Sequence, residues 1–306
     1  MLVTQIANSL GLPERVIQAV ARKANHAYKA YTIKKRDGKY RLIHHPSKEL
    51  KALQRWLVHN VVTQLPVHSA ALAYRIGQGI ANNARAHVAS RYLLRMDFQD
   101  FFPSITDKDV EMYLENAEFP KLQRWTPEDI DLFVTIVCRD GRLTIGAPSS
   151  PGLSNAVCFN LDHQFDSAAC EREVVYTRYA DDLFFSTVYP DILKDFPQLV
   201  GGILKKIGCP AALVINESKT RHSSKRGRRQ VTGLVLRSDE AVGVGRRRKR
   251  YIRSLVYKFD SLNPAERRRL AGLIAFARNI EPDFVNALIL KFGPERVIEA
   301  QTMNQA

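Results

Sequence analysis

Two β-rich runs, residues 174–179 and 183–188, are joined through only Ala180-Asp181-Asp182. A link that short makes them an antiparallel hairpin, since parallel strands need a crossover of a dozen or more residues. A second hairpin is signalled earlier. Tyr31-Thr32-Ile33 and Tyr40-Arg41-Leu42-Ile43 flank Arg36-Asp37-Gly38-Lys39, and Asp-Gly is a strong turn. Strands are also expected at residues 92–96 and 231–236. Helical patterns fill the intervals. They cover residues 1–30, broken at Gly11-Leu12-Pro13, and 48–65, where Leu50, Leu53, Leu57, Val61 and Leu65 share a face. Further helices are expected at 110–115, 127–139, about 153–171, and 191–207 with an interruption at Pro197. An Arg-rich helical stretch follows Ser238. Helices alternating with antiparallel hairpins indicate an α+β fold, not a doubly wound parallel sheet. No G-x-x-x-x-G-K-[ST] loop and no strand-linked G-x-G-x-x-G occurs, and Gly77-Gln78-Gly79 alone is a weak signal.

The net charge of +15 across 306 residues points to a polyanionic partner. It is unevenly spread. Residues 221–306 hold 19 Lys+Arg against 8 Asp+Glu, a net of +11, which leaves the first 220 residues nearly balanced. An anionic membrane is the weaker partner, because no apolar run of about 18 residues exists and the N-terminus is too polar for a signal peptide. Cys138, Cys158, Cys170 and Cys209 form no C-x-x-C pair, which argues against structural zinc. Reduced thiols in the cytoplasm, mostly filling the core, are expected.

The chemistry-bearing residues are acids. Asp97 ends the apolar strand Tyr92-Leu-Leu-Arg-Met96, and Asp181-Asp182 sits at the tip of an apolar hairpin. An acidic pair at a hairpin tip is often only a solvated turn. If the two strands are neighbours, however, three carboxylates converge, and like charges at short range repel. Two divalent cations about 3.5–4 Å apart relieve that repulsion and create a phosphoryl-transfer site. Oxygen-only ligands suit Mg²⁺.

These residues also resemble a known family. Tyr179-Ala-Asp-Asp182 looks like the catalytic motif of reverse transcriptases, and Asp97-Phe-Gln-Asp-Phe-Phe-Pro-Ser104 resembles the acidic motif before it. Gly146-Ala-Pro-Ser-Ser-Pro151 with Leu153-Ser-Asn155 resembles the loop and helix that support template and nucleotide. Gly208 with Asn216-Glu-Ser-Lys-Thr220 resembles the next motif, and Lys34 to Arg41 with His45-Pro46 resembles the fingers. The ordered resemblance covers about residues 25–240. It departs from the family at Ile145, where Gln often precedes the glycine. Asn83-Ala-Arg-Ala-His87 and Val231-Thr-Gly233 resemble two signatures of the bacterial retron enzymes. An Asn and a His four apart on a helix are equally compatible with a local cap or a satisfied polar pair.

The resemblance implies a right-hand polymerase: N-terminal helices and fingers over 1–90, an antiparallel-sheet palm over 91–236, and a basic helical thumb over 237–306. It implies RNA-directed DNA synthesis with two Mg²⁺ ions on Asp97, Asp181 and Asp182, the Phe98 carbonyl adding a ligand. Lys219 neutralises or protonates the leaving group, and Lys35 and Arg41 hold the triphosphate. Gly146 and Ala147 support the nucleotide, and Phe102 lies under its sugar. The retron features imply a dedicated structured noncoding RNA as template and primer, with 2′-OH guanosine priming and a branched DNA product. They also imply an effector protein and a role in anti-phage defence. The chain has no room for an RNase H domain, so RNA removal falls to a separate host nuclease. RNA contacts are expected around Asn83 and His87, around Val231, Thr232 and Gly233, and along Arg246, Arg247, Arg248, Lys249, Arg250 and Tyr251. For the basic run, a merely solvated face is the alternative. An intron-type or diversity-generating enzyme, and a silent RNA-binding scaffold, are the rival readings of the whole chain.

Overall fold

A computed structural model describes residues 1–34, 38, 40–117 and 124–302. The chain opens with α1 (Leu2–Leu10) and α2 (Glu14–Arg22), separated at Gly11, whose φ of 65° is a left-handed helix stop. Strands β1 (Tyr28–Lys34) and β2 (Tyr40–Pro46) then pair antiparallel, from Tyr28 opposite Pro46 to Lys34 opposite Tyr40. The helical expectation for residues 1–30 therefore fails at its end, because Tyr28 to Ala30 join this ladder. Helix α3 (Lys48–Asn60) follows, capped by Ser47, and then the short α4 (Ile80–Arg85).

Strand β3 (Tyr92–Asp97) leads to α5 (Asp107–Asn116) and α6 (Pro127–Val137). Both helices start at a reciprocal capping box, Thr106 with Asp109 and Thr126 with Asp129. Helices α7 (Ser150–Val157) and α8 (Phe159–Cys170) divide at Cys158 what the sequence reads as one helix. The acidic hairpin is β4 (Val175–Tyr179) and β5 (Asp182–Thr187). Helix α9 (Phe196–Lys206) carries Pro197 in its first turn instead of being interrupted there, since the first helical turn needs no proline N–H.

Strand β6 (Arg221–Ser224) completes a four-stranded antiparallel sheet in the order β4-β5-β3-β6. Residues 231–236, expected as one strand, form a turn with its arms. Strands β7 (Arg229–Val231) and β8 (Leu234–Leu236) flank Thr232 and Gly233, whose φ values of 46° and 82° suit a two-residue hairpin turn. With β9 (Val242–Gly243) they form a separate three-stranded sheet. Helices α10 (Arg246–Tyr257), α11 (Pro264–Ile280), α12 (Pro282–Phe292) and α13 (Pro294–Thr302) follow.

The four-stranded sheet is apolar on both faces, and its period-2 alternation sends the two sets into different cores. Leu94, Met96, Leu183 and Phe185 join the N-terminal helices and α5 to α9. Leu93 and Phe184 join α4, the three-stranded sheet and the C-terminal helices. Asp97 and Asp182 share the second face. There Asp97 is buried, and Asp181 and Asp182 are half-buried.

Candidate active site

Asp97 lies directly opposite Asp182 in the β3–β5 ladder. Tyr179 pairs with Asp182, so the β4–β5 turn consists of Ala180 and Asp181 alone, with Ala180 at φ 58°. The Phe98 N–H donates to the Asp181 carbonyl at 2.9 Å, which ties the turn to the end of β3. On the other side, Gln99 N–H donates to Val214 at 2.8 Å and Asn216 N–H to the Asp97 carbonyl at 2.8 Å. These bonds carry the following turn to the site and set Lys219 on Asp97, Nζ to Oδ1 2.6 Å. The four acid and base residues expected from the sequence thus meet through backbone pairing.

The carboxylates are held by cations. Arg95, two residues before Asp97 and on the same face, donates through Nε at 3.0 Å and Nη2 at 2.7 Å to Asp182 Oδ1. Among the described residues, no three acidic, His or Cys side chains already form a closed metal-binding group. The donor set nevertheless fits divalent metal. Burial, then the charge of Asp97, raises the Asp181 carboxyl above its ordinary range. Burial lifts Asp182 to about 6, with Asp181 and Asp97 adding to the rise and Arg95 opposing it. Such mutual repulsion marks a pocket that favours added positive charge. The two cationic side chains are half exposed, Lys219 at 50% and Arg95 at 46%, and can swing away.

Arg41 is exposed on β2, and its charge acts on Asp181. Lys35 lies outside the described residues. Gly146 touches the β1–β2 hairpin: Ile145 carbonyl accepts from His44 N–H at 2.8 Å, and a Cβ on Gly146 would meet the His44 carbonyl oxygen at 2.6 Å. With φ at 114°, that position admits only glycine. Ala147 is buried behind it, so its methyl group packs inward. Phe102 is half-buried beside Tyr74, their ring centroids 6.2 Å apart.

The expectation of RNA contacts at Asn83 and His87 is corrected, because both side chains are 0% exposed. His87 Nδ1 bonds Ser186 at 2.6 Å and Nε2 bonds Thr177 at 2.7 Å, while Thr177 donates to Asn83 Oδ1 at 2.6 Å. A buried polar cluster is what forms, with Asn83 Nδ2 left without a hydrogen-bond partner among the described residues, and it staples β4 to β5 behind the acidic turn. Val231 is likewise buried. Thr232 donates to the Ile80 carbonyl at 3.1 Å, so the two signatures pack against each other. Burial lowers the His87 pKa to about 3, from 6.5. In the unfolded chain the imidazole binds a proton below pH 6.5 that the folded chain refuses. Stability is therefore expected to fall as pH drops from 6.5 toward 3. His87→Gln should flatten that fall in urea melts at pH 5 and 7.5.

Of the basic run on α10, Arg246, Arg247, Arg250 and Tyr251 are exposed. Lys249 instead pairs with the buried Glu281, which also takes Arg237 at 2.8 Å. The Arg248 guanidinium lies 4.9 Å over Phe276. A helical period turns these two inward toward α11 and α12, which corrects their assignment as backbone-binding cations. If the outward three meet phosphates, Arg246→Ala, Arg247→Ala and Arg250→Ala together flatten the slope of log K against log[salt] by roughly 0.7–0.9 per lost contact. Lys249→Ala should leave the slope unchanged and lower the melting temperature. Titration on structured RNA and on generic duplex checks both.

Sequence reasoning missed Arg95, although its position two before Asp97 on a strand puts it on the same face. It also missed Arg178 and Asp162, both 0% exposed and joined by two bonds of 2.8 and 2.6 Å.

Residues 33–241 match the family described as reverse transcriptase (RNA-dependent DNA polymerase). The Retron Ec83 reverse transcriptase of Escherichia coli is 36% identical over 93% of each chain. The chain belongs to the retron-type reverse transcriptases. A second such enzyme of E. coli, the Retron Ec86 reverse transcriptase, is 32% identical over 91% of this chain and 87% of its own. Among solved structures, the apo telomerase of Candida tropicalis matches with a TM-score of 0.51 at 13% identity, over 92% of this chain and 63% of that one. That likeness concerns the right-hand polymerase fold. As a reverse transcriptase this chain is an RNA-directed DNA polymerase, and among its described residues no helix is long and apolar enough to cross a membrane.

Proposed function

We propose that this reverse transcriptase copies a dedicated structured noncoding RNA into branched single-stranded DNA. It primes from a guanosine 2′-OH and acts with an effector protein in anti-phage defence. Its similarity to retron enzymes over nearly its whole length supports this reading. The observation that carries the chemistry is the register of Asp97 against Asp182, with Asp181 at the two-residue turn. In this reading residues 1–90 serve as fingers, 91–236 as palm and 237–306 as thumb. Asp97, Asp181 and Asp182, with the Phe98 carbonyl, hold two Mg²⁺. Bound there, the ions supply Lewis-acid stabilisation of the attacking and leaving oxygens. Lys219 then leaves Asp97 and gives a proton or its charge to the pyrophosphate, while Arg41 holds the triphosphate.

The test is co-expression with the RNA-coding region beside the gene, then sequencing of the nucleic acid that co-purifies. The expected species is DNA joined 2′–5′ to an internal guanosine of one RNA and released by a debranching enzyme. Linear DNA with no preferred RNA would overturn the retron reading while leaving polymerase activity intact.

In this reading Phe102 lies under the incoming sugar and excludes a 2′-OH. Phe102→Ala is expected to raise ribonucleotide incorporation by on the order of 10- to 100-fold relative to deoxynucleotide, read in single-nucleotide extension.

A further inference from the structure

Four aromatic rings contact one another in succession, from the core to an exposed ring. Phe98 and Phe101 stack with centroids 5.6 Å apart, Phe101 and Phe102 lie 5.4 Å apart, and Phe102 and Tyr74 6.2 Å. The first two are buried, Phe102 is half-buried, and Tyr74 is 50% exposed. Phe102 therefore contacts both a buried ring, Phe101, and the exposed ring of Tyr74.

Tyr74 is held in place unusually firmly for an exposed loop residue. Asn155 Nδ2, inside α7, donates to the Ala73 carbonyl at 2.8 Å, and Leu72 N–H donates to the Arg178 carbonyl at 2.9 Å. On the far side, Arg75 reaches back to the carbonyls of His68 and Ala71 at 3.3 and 3.2 Å. Tyr74 itself has φ 61°, a left-handed conformation that a bulky residue keeps only where its surroundings impose it. Desolvation, then the charges of Asp181 and Tyr179, push its phenol above the usual range, which fits a ring standing beside the catalytic turn.

The geometry points to Tyr74 as a specificity-determining residue, whose ring props Phe102 and so keeps the nucleotide pocket closed to a 2′-hydroxyl. The assignment rests on the chain being a polymerase with Phe102 at the incoming sugar. A half-exposed phenylalanine packed on one side only can change rotamer and open space for an oxygen atom. A second ring, anchored through Ala73 and Arg75, removes that freedom. The ring does this and the hydroxyl does not, because the contact with Phe102 is between rings.

The test is single-nucleotide extension on an RNA template, measuring kcat/KM for a dNTP and the matching rNTP. The proteins are wild type, Tyr74→Phe, Tyr74→Ala, Phe102→Ala and the double alanine variant. The ratio of the two constants is internal to each protein, so a reduced folded fraction lowers both and leaves it unchanged. Tyr74→Ala is expected to lower the dNTP preference roughly tenfold, and Tyr74→Phe to stay within about twofold of wild type. The double variant should match Phe102→Ala, because Tyr74 acts through Phe102. A wild-type ratio in Tyr74→Ala beside an altered Phe102→Ala would overturn the proposal alone. An unaltered Phe102→Ala removes the gate on which it rests. A Tyr74→Phe ratio as low as that of Tyr74→Ala makes the hydroxyl the determinant and overturns the packing role.

Discussion

Asp181→Asn and Asp182→Asn are each expected to cut DNA synthesis by on the order of 10³-fold or more, while RNA binding stays within a few fold. Both carboxylates belong to the β4–β5 hairpin, and the exposed arginines belong to α10. An amide there keeps the shape and loses the negative charge that a divalent cation needs. Retained extension by the double variant in Mg²⁺ would sink the assignment.

The same variants should gain stability in EDTA. The Asp182 carboxyl sits at about 6 when folded, against 3.8 as a free side chain, chiefly through burial. Below about pH 4 both states are protonated and the group contributes nothing. Between 4 and 6 the folded state keeps a proton that the unfolded state releases, so stability falls as pH rises. Above 6 the full penalty is present, on the order of 3 kcal/mol. Asp182→Asn should therefore melt like wild type at pH 4 and above it at pH 7.5. Added Mg²⁺ should raise the melting temperature of wild type and not that of the double variant. A melting difference independent of pH would remove the charge explanation.

Arg178→Met is expected to destabilise the protein by about 3–5 kcal/mol, because it leaves Asp162 charged and without a counter-ion in the core. Arg178 does more than pair. Its Nη1 donates to the Ala180 carbonyl at 3.2 Å, and its guanidinium lies 5.7 Å from the Phe101 ring. It thus braces the two-residue turn that carries Asp181, while Tyr176 hydroxyl donates to Asp162 at 2.8 Å and closes the network. Replacing both partners, Arg178→Met with Asp162→Asn, removes the orphan charge and should recover much of the stability. The turn still lacks its brace. Single-turnover extension, at a temperature where the double variant is fully folded, should therefore stay well below wild type. Recovery of the full rate would show that the ion pair serves only the core.

The sequence by itself determined the elements and the acids. The hairpins and Asp97 at a strand end follow from period-2 patterning and turn chemistry, which act over a few residues. The meeting of Asp97 with the Asp181–Asp182 turn required one further step, the pairing of β3 with β5, and the order of motifs supplied it. Only the tertiary structure decided which polar side chains are interior. Asn83 and His87 share a helix-like spacing that suits a binding face or a buried staple, and the hydroxyls of Thr177 and Ser186, about 90 residues on or more, select the staple. Lys249 stands in a run of five cations, yet Glu281 on a later helix draws it inward. Arg178 sits within an apolar strand and is buried only because Asp162 on α8 meets it. Burying a charge or an amide is tolerable where a partner awaits it, and a partner brought close by folding leaves no trace in the local pattern.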